Sequence, residues 1–417
     1  MWVLATTRRV RPHKRRMRKV FSKIYNHNIC GLNIPMELEL LIQQGNEYRE
    51  QRRPDLALQC YAQVFVANPD HTAAWNNYGN VLREMGHPGR SIPFLEHCLR
   101  LDPSHEQANF NLSVALLLMG DYKRGWAQYE QRWNFEHLKG LLPNFSQPRW
   151  QGESLEGKTL LIMGEQGLGD CIQFVRFIRE IGQQGGRVIL LVPNPLIPLF
   201  GTNETVISTL GYDQPLPAFD FWVPMMSIPG VLGLTLENLN SPISYISSNA
   251  QLSRDWQGRL GVKTRMRVGI SWSGRRDTWI NKHKSVPFPV ILEMIQQNPQ
   301  YQWINLQIDA SEEESQALAA TGVDLYPGTI KNMSDTAALI ANLDVVISVD
   351  TAVSHLSAAM GRPTWIMLNH YGLDWRWLLG RGDSPWYPTA RLFRQPAMDQ
   401  WQPVTVQIQR FLKTFTI

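Results

Sequence analysis

Hydrophobic and small residues recur with a period of 34 positions in the first third of the chain, beginning at residue 38. The recurrence is clearest for Gly45 and Gly79, Pro69 and Pro103, and Gly86 and Gly120. This is the period of the tetratricopeptide repeat, whose unit is a pair of antiparallel helices. We therefore predict an all-α array of about three repeats over residues 38–140, the last one serving as a terminal cap.

The small residues of the middle repeat, Gly79 and Ser91, fall where its two helices must approach closely. The aromatic residues Trp75, Tyr78 and Tyr129 have the spacing of core positions. This pattern predicts a fold rather than a chemistry. Arrays of this type also commonly bind a partner on their concave face, so an acceptor or partner protein is the functional alternative.

The pattern changes after a linker rich in proline and glycine at residues 141–158. Short apolar runs then alternate with helical spacing, which indicates a parallel sheet built from strand–helix–strand units. A polar stretch near residue 260 interrupts the series, and the series then restarts. We predict two Rossmann-like halves, residues 159–260 and 261–417, with the final helix crossing back to brace the first. The predicted strands are 159–163, 187–192, 219–225, 267–272, 303–307, 344–350 and 363–368.

Ligands of open parallel sheets bind beyond the carboxyl ends of the strands. The unusual residues of this chain follow predicted strands, so the two halves should form a cleft. Asp170, in GEQGLGD, would repel a pyrophosphate at the adjacent helix N-terminus, which argues against a dinucleotide site. Two uses of Asp170 remain equally open: a base that accepts a proton from a hydroxyl group, or a cap of the following helix.

The second half holds the most specific segment, SVDTAVSHLSAAMGRP. Thr351 and Ala352 lie at a strand-to-helix turn whose N–H groups favour a diphosphate. Asp350 would reach sugar hydroxyls, and His355 either stabilises the turn or contacts the ligand. No spacing typical of a metal site accompanies them, so we predict neither a metal nor another cofactor.

Cations follow the first strand of the second half, in SGRRDTWINKHKS. They would offset the charge of a leaving diphosphate, a role that a metal otherwise fills. Lys284 is our choice, with a solvated loop as the alternative. We assign three further residues to this site, which would bind a sugar-diphosphate donor: Ser273, Gly274 and Gln307. A further group of aromatic residues either stacks on sugar or base or packs between the halves: Trp375, Trp377, Trp386 and Tyr387.

Charge is concentrated at the N-terminus. Nine of the 41 Lys and Arg residues, and none of the 36 Asp and Glu residues, fall within residues 1–30, so the remainder is slightly acidic and argues against a nucleic-acid-binding face. Residues 1–37 are predicted to be a disordered or non-native extension; an anionic-surface contact and a transit peptide are the alternatives. The four cysteines lack paired spacing, and no apolar run spans a bilayer. We predict a cytoplasmic protein, with contact to the inner face of the membrane as a further option.

Residues 38–412 resemble bacterial tetratricopeptide-repeat glycosyltransferases whose catalytic region is similar to the lipopolysaccharide heptosyltransferase family. The motifs that carry the resemblance are GEQGLGDCIQFVRF, VGISWSG with NKHKS, DVVISVDTAVSHLSAAMGRPTW and DWRWLLGRGDSPWYPTARLFRQ. The resemblance implies a GT-B fold and a metal-independent, inverting transfer. It implies that Asp170 is the general base, that Ser273 and Lys284 contact the diphosphate, and that Asp350, Thr351 and Ala352 hold the sugar-diphosphate. The family pattern usually has Gly at position 352, and Ala retains the N–H.

We therefore expect a glycosyltransferase that moves a sugar from a nucleotide-diphosphate sugar to a hydroxyl of a glycan or protein. The alternative is a non-catalytic scaffold, in which the repeat array is fused to a degenerate transferase domain. Joint retention of Asp170, Lys284 and Asp350 favours the enzyme.

Overall fold

The computed structural model describes residues 34–135, 138, 140–274, 284–326 and 328–415. The basic segment 1–30, with Cys30, and the loop residues 275–283 lie outside the described residues, so their predicted roles stay predictions. Cys60, Cys98 and Cys171 are buried free thiols, in line with their unpaired spacing. No helix within the described ranges is long and apolar enough to cross a bilayer.

The described chain begins with three antiparallel helix pairs, which confirms the predicted helical array. Pro54 and Pro88 take the first position of the second helix in the first two pairs, where the missing N–H costs no hydrogen bond. The helices are α1 (Ile34–Glu50), α2 (Pro54–Ala67), α3 (Thr72–Glu84), α4 (Pro88–Leu101), α5 (Glu106–Leu118) and α6 (Tyr122–Tyr129).

Repeating glycines set the distance between paired helices. A Cβ atom added to Gly45 would lie 2.5 Å from Cε1 of Tyr61, and one added to Gly79 would lie 2.8 Å from Cγ of Leu95. The Ser91 hydroxyl donates a hydrogen bond to the Gly79 carbonyl at 2.6 Å. The predicted close approach at Gly79 and Ser91 is therefore confirmed, and the 34-residue period has a steric cause.

The first half contains a four-stranded parallel sheet in the order β3-β2-β1-β4. One edge strand, β3, was not predicted from the sequence because it lacks a continuous apolar run. Ile207 is 42% exposed and is followed by Ser208 and Thr209. The elements are β1 (Thr159–Met163), α7 (Leu168–Phe174), α8 (Ile178–Gln183), β2 (Arg187–Leu191), α9 (Ile197–Phe200), β3 (Val206–Leu210), β4 (Phe221–Pro224), α10 (Ile228–Val231) and α11 (Ala250–Leu260).

The second half contains a five-stranded parallel sheet in the order β6-β5-β7-β8-β9. Its edge strand β9, which has an arginine at each end of its apolar centre, was also missed. The elements are β5 (Arg267–Ser271), α12 (Phe288–Gln296), β6 (Gln302–Asn305), α13 (Glu312–Ala320), α14 (Met333–Ile340), β7 (Val345–Val349), α15 (Ala352–Ala359), β8 (Thr364–Leu368), β9 (Ala390–Arg394) and α16 (Gln402–Thr414).

The prediction that the C-terminal helix braces the first half is wrong. The apolar face of α16, which includes Val404 and Ile408, packs into the core of the second half with Trp365 and Phe393. The cation of Arg391, on β9, also lies over the Phe411 ring, 3.7 Å from its centroid. Burial of this stripe holds α16 on the sheet that precedes it in the chain.

The helical array and the two halves share one hydrophobic core. Trp126 of the array meets the Trp375 ring edge to face, with centroids 5.1 Å apart. The indole N–H of Trp386 donates to the Tyr122 hydroxyl at 2.8 Å. Of the two alternatives for the aromatic group around Trp375, packing is therefore the observed one, and it extends to the array.

Further polar contacts tie the array to the halves. The buried Arg132 donates two hydrogen bonds to Glu165 in the first half, at 2.8 and 2.9 Å. Glu84 of α3 accepts the Tyr371 hydroxyl of the second half at 2.6 Å. Together with the shared core, these contacts fix the array against both sheets.

We predict that Gly45→Ala destabilises the protein by about 1–3 kcal/mol, because the new methyl group overlaps the buried Tyr61 ring. Gly89→Ala is the matched control, since its Cβ would approach no described atom closer than 3.8 Å. The control should be neutral or stabilising by up to about 1 kcal/mol. Urea denaturation monitored by circular dichroism measures both; equal stability of the two variants would contradict the steric explanation.

Candidate active site

A cleft of about 1110 Å³ lies where the three parts of the molecule meet. The first half lines it with residues 166–170, which follow β1. The second half contributes the loops that follow β5 and β7 and the segment 369–376, and the array contributes α3 and α5. All nine residues assigned from sequence line this cleft: Asp170, Ser273, Gly274, Lys284, Gln307, Asp350, Thr351, Ala352 and His355.

Asp170 lies in the first turn of α7 and serves as a helix cap. One carboxylate oxygen accepts the Gly167 N–H at 2.7 Å. The other accepts a hydrogen bond from the guanidinium of Arg376 in the second half. The side chain is 20% exposed and lines the cleft, so capping leaves part of the carboxylate open to a substrate.

Arg376 and Asp374 were missed by the sequence analysis, which considered only the tryptophans of DWRW. Arg376 is 6% exposed and lies over the Trp375 ring, 4.3 Å from its centroid. It contacts Asp374 at 3.2 Å and donates to the Gln173 side chain at 2.5 Å. The signal that could have identified them was the pair of charges beside aromatic residues in DWRW. Where such aromatics are buried, the charges beside them are buried too and need partners.

The Lys284 side chain is only 14% exposed and lies against two carboxylates, which excludes the solvated loop alternative. Its ammonium lies 2.6 Å from Asp350 and 3.7 Å from Asp374. Burial opposes ionisation of Asp350, but the ammonium of Lys284 and a hydrogen bond from His355 hold the pKa of this carboxyl well below its usual range. We call Asp170, Arg376, Asp374, Lys284 and Asp350 the charge network.

His355 supports the end of this network. Its Nε2 lies 3.5 Å from Asp350, and its Nδ1 is hydrogen-bonded to the Tyr387 hydroxyl at 2.7 Å. The ring stacks on Trp377, with centroids 5.4 Å apart. A Cβ on Gly169 would lie 2.8 Å from the same ring, so α7 and α15 meet closely here. These contacts favour the structural alternative for His355.

The N-terminus of α15 faces the cleft. Thr351 precedes the helix, its N–H donates to the Ser354 hydroxyl at 3.1 Å, and Ala352 and Val353 line the cleft. The N–H groups and dipole of a helix N-terminus favour an anion. This position is suited to a phosphate group.

Gln307 organises the loop after β5. Its amide oxygen accepts hydrogen bonds from the Ser271 hydroxyl and from the N–H groups of Trp272 and Ser273, at 2.9, 3.0 and 2.9 Å. The Ser273 hydroxyl donates to the Gly274 carbonyl at 2.9 Å. Gln307 therefore lines the cleft chiefly as a support for the loop that carries Ser273.

Residues 290–368 match the family model of glycosyltransferase family 9 (heptosyltransferase). This range includes β7 and the turn after it, with Asp350 and Thr351. Residues 42–95 match a tetratricopeptide repeat model. The predicted resemblance is confirmed. We refer to residues 159–415 as the transferase region.

The chain is also similar to individual proteins. It is 26% identical over 430 residues to Protein FlbA of Caulobacter vibrioides, with 88% of this chain and 71% of FlbA covered. A family 9 glycosyl transferase from Veillonella parvula is 10% identical, with 64% and 92% covered and a TM-score of 0.46. The ADP-heptose LPS heptosyltransferase II of E. coli is 12% identical, with 62% and 100% covered and a TM-score of 0.45. The family match supports assignment of the transferase region to the glycosyltransferases.

We predict that Arg376→Gln destabilises the protein by about 3–5 kcal/mol, because it leaves the carboxylates of Asp170 and Asp374 without their buried partner. Arg381→Gln is the control on the same segment: its partner Asp383 is 70% exposed, so about 0–1 kcal/mol is expected. Thermal and urea denaturation measure both losses. A loss for Arg376→Gln as small as that of the control would show that the two halves do not depend on this cation.

Acid should remove the stabilisation provided by Asp350. Since its folded pKa lies below its unfolded value, the contribution is fully present above the unfolded pKa and is lost as the pH falls through the folded one. Wild type should exceed Asp350→Asn in stability by a constant amount above about pH 5, and by less as the pH falls below about 4. Urea denaturation from about pH 6 down to about pH 2 measures the difference in stability. A pH-independent difference would argue against the ion pair with Lys284.

Proposed function

We propose that the chain is a glycosyltransferase that moves a sugar from a nucleotide-diphosphate sugar to a hydroxyl group of a glycan or protein. One observation carries the proposal: a single cleft holds a carboxylate of the first half opposite a lysine and a helix N-terminus of the second. In-line sugar transfer needs a base on one side of the anomeric carbon and a stabilised leaving group on the other.

The second half is the proposed donor side. The diphosphate would bind at the N-terminus of α15, beside Thr351 and Ala352, with Lys284 and Ser273 in reach. Asp350 would hold the sugar. Lys284 would then exchange part of its contact with carboxylates for contact with the charge that develops on the departing diphosphate. This contact would stabilise the leaving group without a metal.

Asp170 is the proposed general base. The acceptor hydroxyl gives its proton to the carboxylate while its oxygen forms a bond to the anomeric carbon. The bond from that carbon to the diphosphate oxygen breaks, and the electron pair leaves with the nucleoside diphosphate. Attack from the face opposite the leaving group inverts the anomeric centre. A carboxylate has about four acceptor sites, so the bonds from Gly167 and Arg376 leave room for the hydroxyl.

The absence of a metal from this mechanism is part of the proposal. Within the described ranges, no group of three or more His, Cys, Asp or Glu side chains is placed to hold a metal ion. A cytoplasmic location, where nucleotide sugars are available, and an acceptor or partner protein on the array complete the proposed setting.

We predict that Asp170→Asn abolishes transfer, since an amide cannot accept the proton, and changes nucleoside diphosphate affinity less than about threefold, because the donor site lies in the other half. The donor is identified first by a thermal-shift screen with UDP, GDP, ADP and other nucleoside diphosphates. At one hundred times its dissociation constant, a ligand adds about 2.7 kcal/mol of stability.

Asp121→Asn is the matched control for this substitution. Asp121 also caps a helix and pairs with an arginine, but it immediately precedes α6 and lies outside the cleft. The control should keep full transfer activity. Unchanged activity of Asp170→Asn would rule out its role as the base, whereas a wild-type chain that responds to no nucleotide would favour the scaffold alternative.

A further inference from the structure

The helical array carries a cation into the cleft of the transferase region. Arg83, on α3, lines the cleft together with Asp374 and Asn111. Its side chain is only 12% exposed. In the repeat pattern Arg83 is one polar position among many, so the sequence alone predicts no role for it.

Few contacts neutralise the positive charge of the Arg83 guanidinium. One terminal nitrogen, Nη2, donates to the Asn80 side chain at 2.6 Å and lies 3.7 Å from the Glu84 carboxylate. Its Nε is buried and has no hydrogen-bond partner among the described residues. A buried cation in this state is unfavourable unless an anion reaches it.

Glu84 is already committed to other groups. Arg49 donates to both of its oxygens, at 2.8 and 2.5 Å, and the Tyr371 hydroxyl donates at 2.6 Å. One carboxylate thus faces two guanidinium groups. Glu84 therefore neutralises Arg83 only in part.

Two other described cations of the cleft, Lys284 and Arg376, are more fully balanced. Lys284 lies within 4 Å of the carboxylates of Asp350 and Asp374. Arg376 contacts Asp170 and Asp374. Compared with Lys284 and Arg376, Arg83 therefore retains more capacity to bind an added anion.

We propose that Arg83 binds an oxyanion group of a substrate, so that the helical array supplies part of the substrate site and is more than a docking platform. The inference rests on the proposed transferase function. A planar guanidinium with an unsatisfied N–H group is suited to a phosphate or a carboxylate. The oxyanion belongs either to the diphosphate of the donor or to an acidic sugar, and binding probes separate these two sources.

The test compares the full-length wild type with Arg83→Gln and Arg83→Lys, and uses Arg90→Gln as the matched control. Arg90 is an exposed arginine of the same array that lies outside the cleft. Diphosphate probes are pyrophosphate, UDP, GDP and ADP, and binding is measured by calorimetry. Acidic-sugar probes are glucuronate and glucose 6-phosphate, with glucose as the neutral counterpart, and binding is measured by ligand-detected NMR.

A diphosphate contact predicts that Arg83→Gln raises the dissociation constant of the diphosphate probes about tenfold or more, that Arg83→Lys recovers part of the loss, and that Arg90→Gln changes nothing. An acidic-sugar contact predicts the same pattern for glucuronate or glucose 6-phosphate and no change for glucose. Either pattern supports the inference. A purely structural Arg83 would lower the thermal midpoint of Arg83→Gln and leave every dissociation constant unchanged, which overturns it.

Failure of the inference differs from failure of the proposed function. If wild type binds a diphosphate and Arg83→Gln binds it and the acidic sugars equally well, the inference is wrong and the transferase function stands. If the wild type binds none of the probes, both are contradicted. Arg83→Lys, which keeps the charge, provides the comparison if the glutamine variant does not fold.

Discussion

The ion pair between Asp170 and Arg376 is the contact on which the arrangement of the cleft depends. It joins the first helix of one half to the loop after β8 in the other, and it fixes the carboxylate that we assign as the base. The same guanidinium holds Asp374, which lies near Lys284, and Lys284 holds Asp350. Because each charge in this series neutralises its neighbours, the geometry of the donor side and that of the base are set together.

The helical array takes part in the same construction. Trp126 of α6 packs on Trp375, whose ring lies against Arg376, and Glu84 binds Tyr371 on the segment that carries Asp374. Edge-to-face aromatic pairs contribute about 0.5–1.5 kcal/mol each beyond the area they bury. An array fixed in this way can place groups such as Arg83 at the substrate, whereas a freely hinged array could only bring a partner nearby. This arrangement allows the direct role in substrate binding that we propose for the tetratricopeptide part.

Local sequence patterns predicted most of the architecture, because a 34-residue period and continuous apolar runs report burial directly. The edge strands β3 and β9 were missed because one face of an edge strand is exposed, and their sequences mix polar with apolar residues. The candidate residues after β1, β5 and β7 do line one cleft, as parallel topology requires. Arg376 was missed because its partner is 206 positions away, and no local pattern records which buried charges meet. The prediction that α16 packs on the first half was wrong for the same reason, since no local pattern records which sheet a helix contacts.

A crystal structure of the full chain with the nucleoside diphosphate that binds most tightly would test the central claim most directly. In that structure we expect the diphosphate at the N-terminus of α15, within hydrogen-bond distance of the Ala352 N–H, with Lys284 at its side and Asp170 across the cleft. A nucleotide bound elsewhere, or with its phosphates directed away from Lys284 and α15, would contradict the assignment of this cleft as the site of sugar transfer.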